Sequence, residues 1–143
     1  MKRPTRDELF IEVAGLFAKR STCKRANVGA VIVRGNRIVA TGYNGAPSTM
    51  LHCIESDCEL GSDGGCQRAV HAEANAIAFA ARDGIRLNGA TMYTTHSPCY
   101  KCAQLIINAG IAHVVYSKAY RDSSGLQLLD EAGIEFNEYE DQG

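Results

Sequence analysis

Charge of one sign is what this sequence most plainly lacks. Lys and Arg number 15 against 16 Asp and Glu, a net charge of −1 over 143 residues. Such totals leave no basic face to hold a duplex or a folded RNA, because that binding rests on Lys and Arg neutralising phosphates. Long apolar runs are also missing; none approaches the ~20 residues of a membrane-spanning helix. Met1-Lys2-Arg3-Pro4-Thr5 has no apolar stretch of the kind a secretory leader carries. Repeats, linkers and low-complexity segments are absent as well. The expectation is a cytoplasmic protein with no membrane and no nucleic acid as partner. Residues 1–143 are expected to form one domain, since this length builds a sufficient core and an apolar content of 45% is ordinary for a globular chain.

What is present is a set of soft metal ligands. The six cysteines would suggest a disulfide scaffold in a small secreted protein, but a chain of this size folds without staples. Two of them stand in Pro98-Cys99-Tyr100-Lys101-Cys102, downstream of His71-Ala72-Glu73. The combination H-x-E…P-C-x-x-C marks zinc enzymes that deaminate cytosine or adenine rings. A catalytic zinc takes three protein ligands and keeps its fourth position for water; His71, Cys99 and Cys102 supply three. Glu73, two residues past the histidine on a helix, cannot face the metal in the same way and is left for proton transfer. A lone C-x-x-C would equally suit a redox pair or a structural zinc knuckle, and Glu73 alone could be a carboxylate favoured by the helix dipole. The H-x-E element upstream argues against both.

Residues 71–82 are alanine-rich without glycine or proline and predict a buried helix. A second helix is expected over 99–109, with Pro98 at its start and Gly110 as its stop. The ligands would then lie at helix N-termini, where the dipole favours thiolate. Elsewhere, Thr5 and Glu8 form a capping box, followed by Leu9, Val13, Leu16 and Phe17 as the expected buried face of a first helix. Strands are predicted at 28–33 and 38–43 around a Gly35-Asn36 hairpin turn, then at 91–94, 113–116 and 134–136, with a helix over 124–132. The order α-β-β-α-β-α-β-α-β implies an α/β protein with one mixed five-stranded sheet, flanked by helices.

Residues 44–70 show no periodicity, and a loop that long is uncommon unless it is functional or disordered. Cys53, Cys58 and Cys66 within it make it unlike a solvated linker. With Cys23, four cysteines remain outside the catalytic pattern, the number a closed structural zinc site needs. His52 could replace one of them, or some could be buried thiols that behave as small hydrophobes.

By these residues the chain resembles the deoxycytidylate (dCMP) deaminases of bacterial and bacteriophage type. The resemblance runs from about Ser21 to Phe136. It rests on Ser21-Thr22-Cys23-Lys24-Arg25, Val28-Gly29-Ala30, Gly42-Tyr43-Asn44-Gly45, Arg68-Ala69-Val70-His71-Ala72-Glu73-Ala74-Asn75-Ala76 and Thr95-His96-Ser97-Pro98-Cys99. It implies a cytidine-deaminase-like three-layer sandwich, a homo-oligomer (a hexamer favoured), and conversion of dCMP to dUMP and ammonia, which supplies dUMP for thymidylate synthesis. It further implies a second zinc on the central loop. Gly42, Tyr43, Asn44 and Gly45 would help bind dCTP as activator or dTTP as inhibitor, with Mg²⁺ accompanying the triphosphate. Gly42 and Gly45 are read as bracketing a tight turn that needs glycine at both ends.

The same resemblance places Asn44 on the sugar 3′-hydroxyl and the backbone N–H of Ala72 on the pyrimidine O2. A nucleotide needs a phosphate clamp, for which the planar arginine fork is suited. Arg25 and Arg121 are the candidates, and Tyr120 would pack on sugar or base; each arginine could equally be a solvated surface residue. Phe79 and Arg82 are assigned to core or interface. Four other readings stay open: a deaminase of 5-substituted dCMP, one of free cytidine nucleosides, one of tRNA adenosine, and a zinc-binding module without catalysis. The tRNA enzyme would need a basic surface. The zinc-binding module would close the metal with a fourth ligand.

Overall fold

The computed structural model describes residues 2–22, 27–46 and 70–140. Helix α1 (Arg6–Ala18) is followed by strands β1 (Gly29–Arg34) and β2 (Arg37–Tyr43), helix α2 (Ala72–Arg82) and strand β3 (Thr91–His96). Helix α3 (Tyr100–Ala109), strand β4 (His113–Lys118), helix α4 (Ser124–Glu131) and strand β5 (Glu135–Glu138) complete the order. The five strands form one sheet in the order β2-β1-β3-β4-β5. β1 pairs antiparallel with both β2 and β3, whereas β3–β4 and β4–β5 are parallel. The sheet is mixed because its antiparallel hairpin is joined by a short turn and its parallel strands by helical crossovers.

The turn chemistry follows the sequence. Gly35 and Asn36 both adopt positive φ, 59° and 63°, the backbone of a type I′ hairpin turn. Thr5 Oγ1 accepts a hydrogen bond from the Glu8 N–H at 3.1 Å, which caps α1. Gly110 ends α3 in the left-handed region at φ 83°.

Two cores sandwich the sheet. On one face α1 covers Val31, Val33, Tyr93 and Val115. On the other, α2, α3 and α4 close over Ile32, Met92 and Val114 through Ala76, Ala80, Ile106 and Leu129. These are three layers, as expected. The buried face of α1 differs from the expected one: Phe10, Ala14 and Ala18 are buried, while Leu9 and Leu16 are 44% and 59% exposed. A Cβ on Gly29 would lie 2.0 Å from the Ala14 carbonyl oxygen, so the helix backbone nearly touches the sheet. Only small residues fit that contact, and Leu16 is turned outward.

Candidate active site

The two motif helices bring their N-termini together at one end of the sheet. His71 is the N-cap of α2 and Cys99 the N-cap of α3; Cys102 is buried in the first turn of α3. Pro98 therefore precedes the cap rather than occupying the first helical turn. Its locked φ and missing N–H suit an entry point where the chain leaves β3 extended. Cys99 and Cys102 lie three apart, which places both on one face of the helix.

The geometry of the three donors fits zinc. His71 Nδ1 lies 3.5 Å from Cys99 Sγ and 3.5 Å from Cys102 Sγ, and all three ligating atoms fall within 4.8 Å of one another. Zinc bonds of about 2.3 Å to sulfur and about 2.0–2.1 Å to nitrogen, set at a tetrahedral angle, place nitrogen about 3.5 Å from sulfur. Among the described residues no other group of His, Cys, Asp and Glu is so clustered. A hydrogen bond from Cys102 holds the Cys99 thiol down at about 4, and the same bond together with burial pushes Cys102 well above the thiol range. A zinc ion bound here would take both sulfurs as thiolates, so its binding would release their protons.

Glu73 is only 4% exposed. Burial pushes its carboxyl up to about 7, against the opposing pull of the backbone N–H at the helix start and of His71. A carboxyl that titrates near neutrality beside a metal site can both take and return a proton.

These groups open into a cavity of about 490 Å³ lined by Val28, Asn44, His71, Glu73, Cys99, Tyr120, Arg121 and Asp122. The structure therefore brings Asn44, Tyr120 and Arg121 to the expected pocket. Burial, then the charges of Glu73 and Cys99, push the Tyr120 hydroxyl up to about 12, so it stays a neutral phenol. Asn44 Oδ1 accepts the Ala72 N–H at 2.8 Å in a buried bond. The N–H expected on the pyrimidine O2 is therefore engaged by Asn44 in this structure. Cys23, Arg25, His52, Cys53, Cys58 and Cys66 lie outside the described residues.

The expected tight turn at Gly42-Tyr43-Asn44-Gly45 is not what the structure contains. Gly42 and Tyr43 belong to β2, Gly45 bridges to Val70, and neither glycine has positive φ. The need for glycine at 42 is one of space: a Cβ there would sit 2.3 Å from the Ala72 carbonyl oxygen. The absence of that Cβ lets α2, which carries Glu73, lie against β2. Phe79, assigned to core or interface, is 42% exposed beneath the Arg82 guanidinium.

Val28 and Asp122, which also line the cavity, were missed as site residues. Asp122 accepts the Ser124 N–H at 2.9 Å at the start of α4, and Asp122-Ser123-Ser124 is a readable helix-start signal. Val28 stands at the start of a strand expected from the sequence and is a buried residue just before β1, with no signal that it faces the cavity.

Residues 4–118 match the family model described as "Cytidine and deoxycytidylate deaminase zinc-binding region". The ComE operon protein 2 of Bacillus subtilis is 40% identical over 98% of this chain and 74% of its own length. The deoxycytidylate deaminase of Mycobacterium phage D29 is 45% identical over 82% of this chain and 98% of its own. The chain spans about half the length of the two yeast deoxycytidylate deaminases it also matches, 46% and 45%. Among solved structures, the dCMP deaminase of cyanophage S-TIM5, in complex with dCMP and dUMP, superposes with a TM-score of 0.85 at 35% identity. It covers 97% of this chain and 100% of that one. The sheet order, the helix-borne metal ligands and these matches together establish that the chain has the cytidine-deaminase-like fold and belongs to the cytidine and deoxycytidylate deaminase zinc-binding family.

Proposed function

We propose that this protein hydrolyses dCMP to dUMP and ammonia, supplying dUMP for thymidylate synthesis, with residues 1–143 acting as a single deaminase domain. The observation that carries the reading is the cavity itself. It joins the His71/Cys99/Cys102 cluster and the buried Glu73 to Arg121 in one space, of a volume suited to a small ligand. The phage enzymes similar to this chain, named for the same reaction, support the substrate.

His71, Cys99 and Cys102 would hold a zinc ion, which would supply Lewis acidity and lower the pKa of water at the site from ~15.7 toward ~7. Glu73 accepts a proton from the attacking water and passes it to ring N3, which makes C4 electrophilic. As the new C4–O bond forms, C4 becomes tetrahedral. Glu73, again a carboxylate, takes the proton of the new C4 hydroxyl and delivers it to the exocyclic amine; the C4–N bond breaks, ammonia leaves, and the uracil carbonyl remains. Asn44, its amide oriented by the Ala72 N–H, faces the sugar hydroxyl. Tyr120 walls the base and sugar, and Arg121 clamps the phosphate, with Arg25 as a second arm. Positioned proton transfer contributes about 10²–10⁴-fold. Zinc-loaded wild-type protein should therefore convert dCMP to dUMP, and Glu73→Gln should retain zinc and lose at least that factor in kcat. Wild-type protein that binds zinc without releasing ammonia would favour a binding module.

The count of cysteines outside the catalytic cluster supports a structural zinc on Cys23, Cys53, Cys58 and Cys66. Two zinc ions per chain are expected by metal analysis, falling to one in Cys58→Ser. A second cleft of about 300 Å³, beside Gly42, Tyr43, Gly45 and Asn75, supports an effector site for dCTP or dTTP with its Mg²⁺. Rate curves against dCMP should then be sigmoidal and become hyperbolic with dCTP; curves that neither triphosphate alters would remove the effector. A homo-oligomer in the cytoplasm, a hexamer in the favoured form, completes the proposal. No described helix is long and apolar enough to cross a membrane.

A further inference from the structure

Behind the cavity wall, the imidazole of His96 stacks on the ring of Tyr120, with centroids 5.1 Å apart and planes 20° from parallel. Tyr120 lines the cavity and His96 does not. Among the described residues, the histidine therefore meets the cavity through the tyrosine. Around this pair the ends of β3 and β4 are tied by the backbone. The Ser97 N–H donates to the Lys118 carbonyl at 2.8 Å, and the Tyr120 N–H donates to the buried Ser97 Oγ at 2.9 Å.

His96 is itself held. Thr95 Oγ1 accepts the Gly29 N–H at 3.2 Å and lies 3.1 Å from His96 Nδ1. A hydrogen bond between Oγ1 and Nδ1, in whichever direction the tautomer sets, fixes the ring plane. The Tyr120 side chain is 43% exposed. An exposed aromatic with nothing behind it would distribute among staggered rotamers, whereas an offset stack selects one.

We infer that His96 is a positioning residue for substrate recognition: its ring, stacked on the back of Tyr120, fixes the face that Tyr120 presents to the bound nucleotide. The inference rests on the proposed deaminase reading for its substrate, but not for its geometry. It assigns to His96 binding rather than chemistry, because the ring lies outside the cavity that holds Glu73 and the metal ligands. Shape and flatness are the required properties, so another aromatic ring should serve and a small side chain should not.

The test compares zinc-loaded wild type, His96→Ala, His96→Phe, Tyr120→Ala and the double variant His96→Ala/Tyr120→Ala. KM for dCMP should rise about 2- to 10-fold in His96→Ala, the worth of one aromatic stack, with kcat nearly unchanged. His96→Phe should restore KM. The double variant should be no worse than Tyr120→Ala, since His96 acts through that ring. Independently of any substrate, the ring resonances of Tyr120, identified by their loss in Tyr120→Ala, should move or broaden in His96→Ala and be sharp in His96→Phe. A loss of kcat at constant KM, failure of Phe to rescue, additive losses in the double variant, or unmoved Tyr120 resonances would each overturn the inference. Absence of dCMP turnover by wild type would sink the substrate reading instead, and the resonances would still decide whether His96 fixes the tyrosine.

Discussion

Gly125 meets Pro98 so closely that a Cβ on the glycine would lie 2.1 Å from the proline carbonyl oxygen and 2.8 Å from the Cys99 carbonyl carbon. The first turn of α4 is thereby seated directly on the backbone of Cys99, one member of the His71/Cys99/Cys102 cluster that could hold a metal. Both neighbours are met at backbone atoms, which cannot swing aside as a side chain would, so any added atom at 125 must displace Cys99. Gly125→Ala is expected to cost about 1–3 kcal/mol by overpacking and to weaken zinc retention against a chelator. The contrast is Gly15→Ala. Gly15 lies inside α1 with nothing within 4 Å of its Cβ position, and alanine there should stabilise by about 0.5–1 kcal/mol. Thermal unfolding of both variants, with zinc release followed for the first, checks the pair of opposite signs.

Asn44 and Ala72 are joined by a buried bond of 2.8 Å, and its loss should be felt twice. Asn44→Ala leaves the Ala72 N–H without its acceptor, an expected cost of about 1–3 kcal/mol, and also removes a group from the cavity lining. Asn44→Asp keeps an acceptor for that N–H while adding charge beside Glu73. It should preserve more stability than alanine and still lose activity. Denaturation midpoints and kcat/KM on the two variants separate the scaffold role from the proposed substrate role.

Glu73 yields a pH prediction with a definite sign. Its folded pKa is raised by burial from 4.5 to about 7, so the folded state prefers the protonated form. The stability that this preference contributes is fully present below the unfolded value and is lost as pH rises through the folded one. In zinc-free protein, Glu73→Gln should therefore be more stable than wild type at pH 8, with the difference vanishing near pH 4. Catalysis runs the other way. Proton abstraction needs the carboxylate, so kcat/KM of the zinc enzyme should fall on the acid side, with the limb between 4.5 and about 7, because the metal's charge opposes burial.

Much of the site was legible because metal chemistry is written in residue type and short spacing. His71, Cys99 and Cys102 are recognisable donors, and helix ends at the motifs follow from Pro98 and Gly110. The hairpin was legible for a similar reason, since Gly35-Asn36 suits positive φ at both positions. What the sequence hid were contacts between backbones. Leu16 stands at the helical spacing of a core residue, yet α1 lies so close to Gly29 that only Ala14 and Ala18 fit beneath it. Gly42 looks like a turn glycine and is instead a strand residue hollowed out for α2. His96 stood in the stretch 95–99 without a role of its own, because its partner Tyr120 lies on another strand's exit and stacking partners have no fixed spacing. Such long-range relations depend on how closely two elements approach, a quantity that neither periodicity nor composition encodes.

Arg121 lines the same cavity as Glu73 and should serve the substrate's phosphate. Arg121→Ala is expected to raise KM for dCMP at least 10-fold, the loss of a charge-assisted pair worth about 1.5–3 kcal/mol, while leaving zinc content and unfolding temperature unchanged. Steady-state kinetics beside metal analysis of the same preparation check it.

The central claim is that this chain is a nucleotide deaminase, and the measurement nearest to it is ammonia release from dCMP and deoxycytidine in parallel, with cytidine and dCTP as further arms. The account predicts a kcat/KM for dCMP at least tenfold above that for deoxycytidine, from the same charge-assisted phosphate contact. Equal rates on dCMP and deoxycytidine would contradict it.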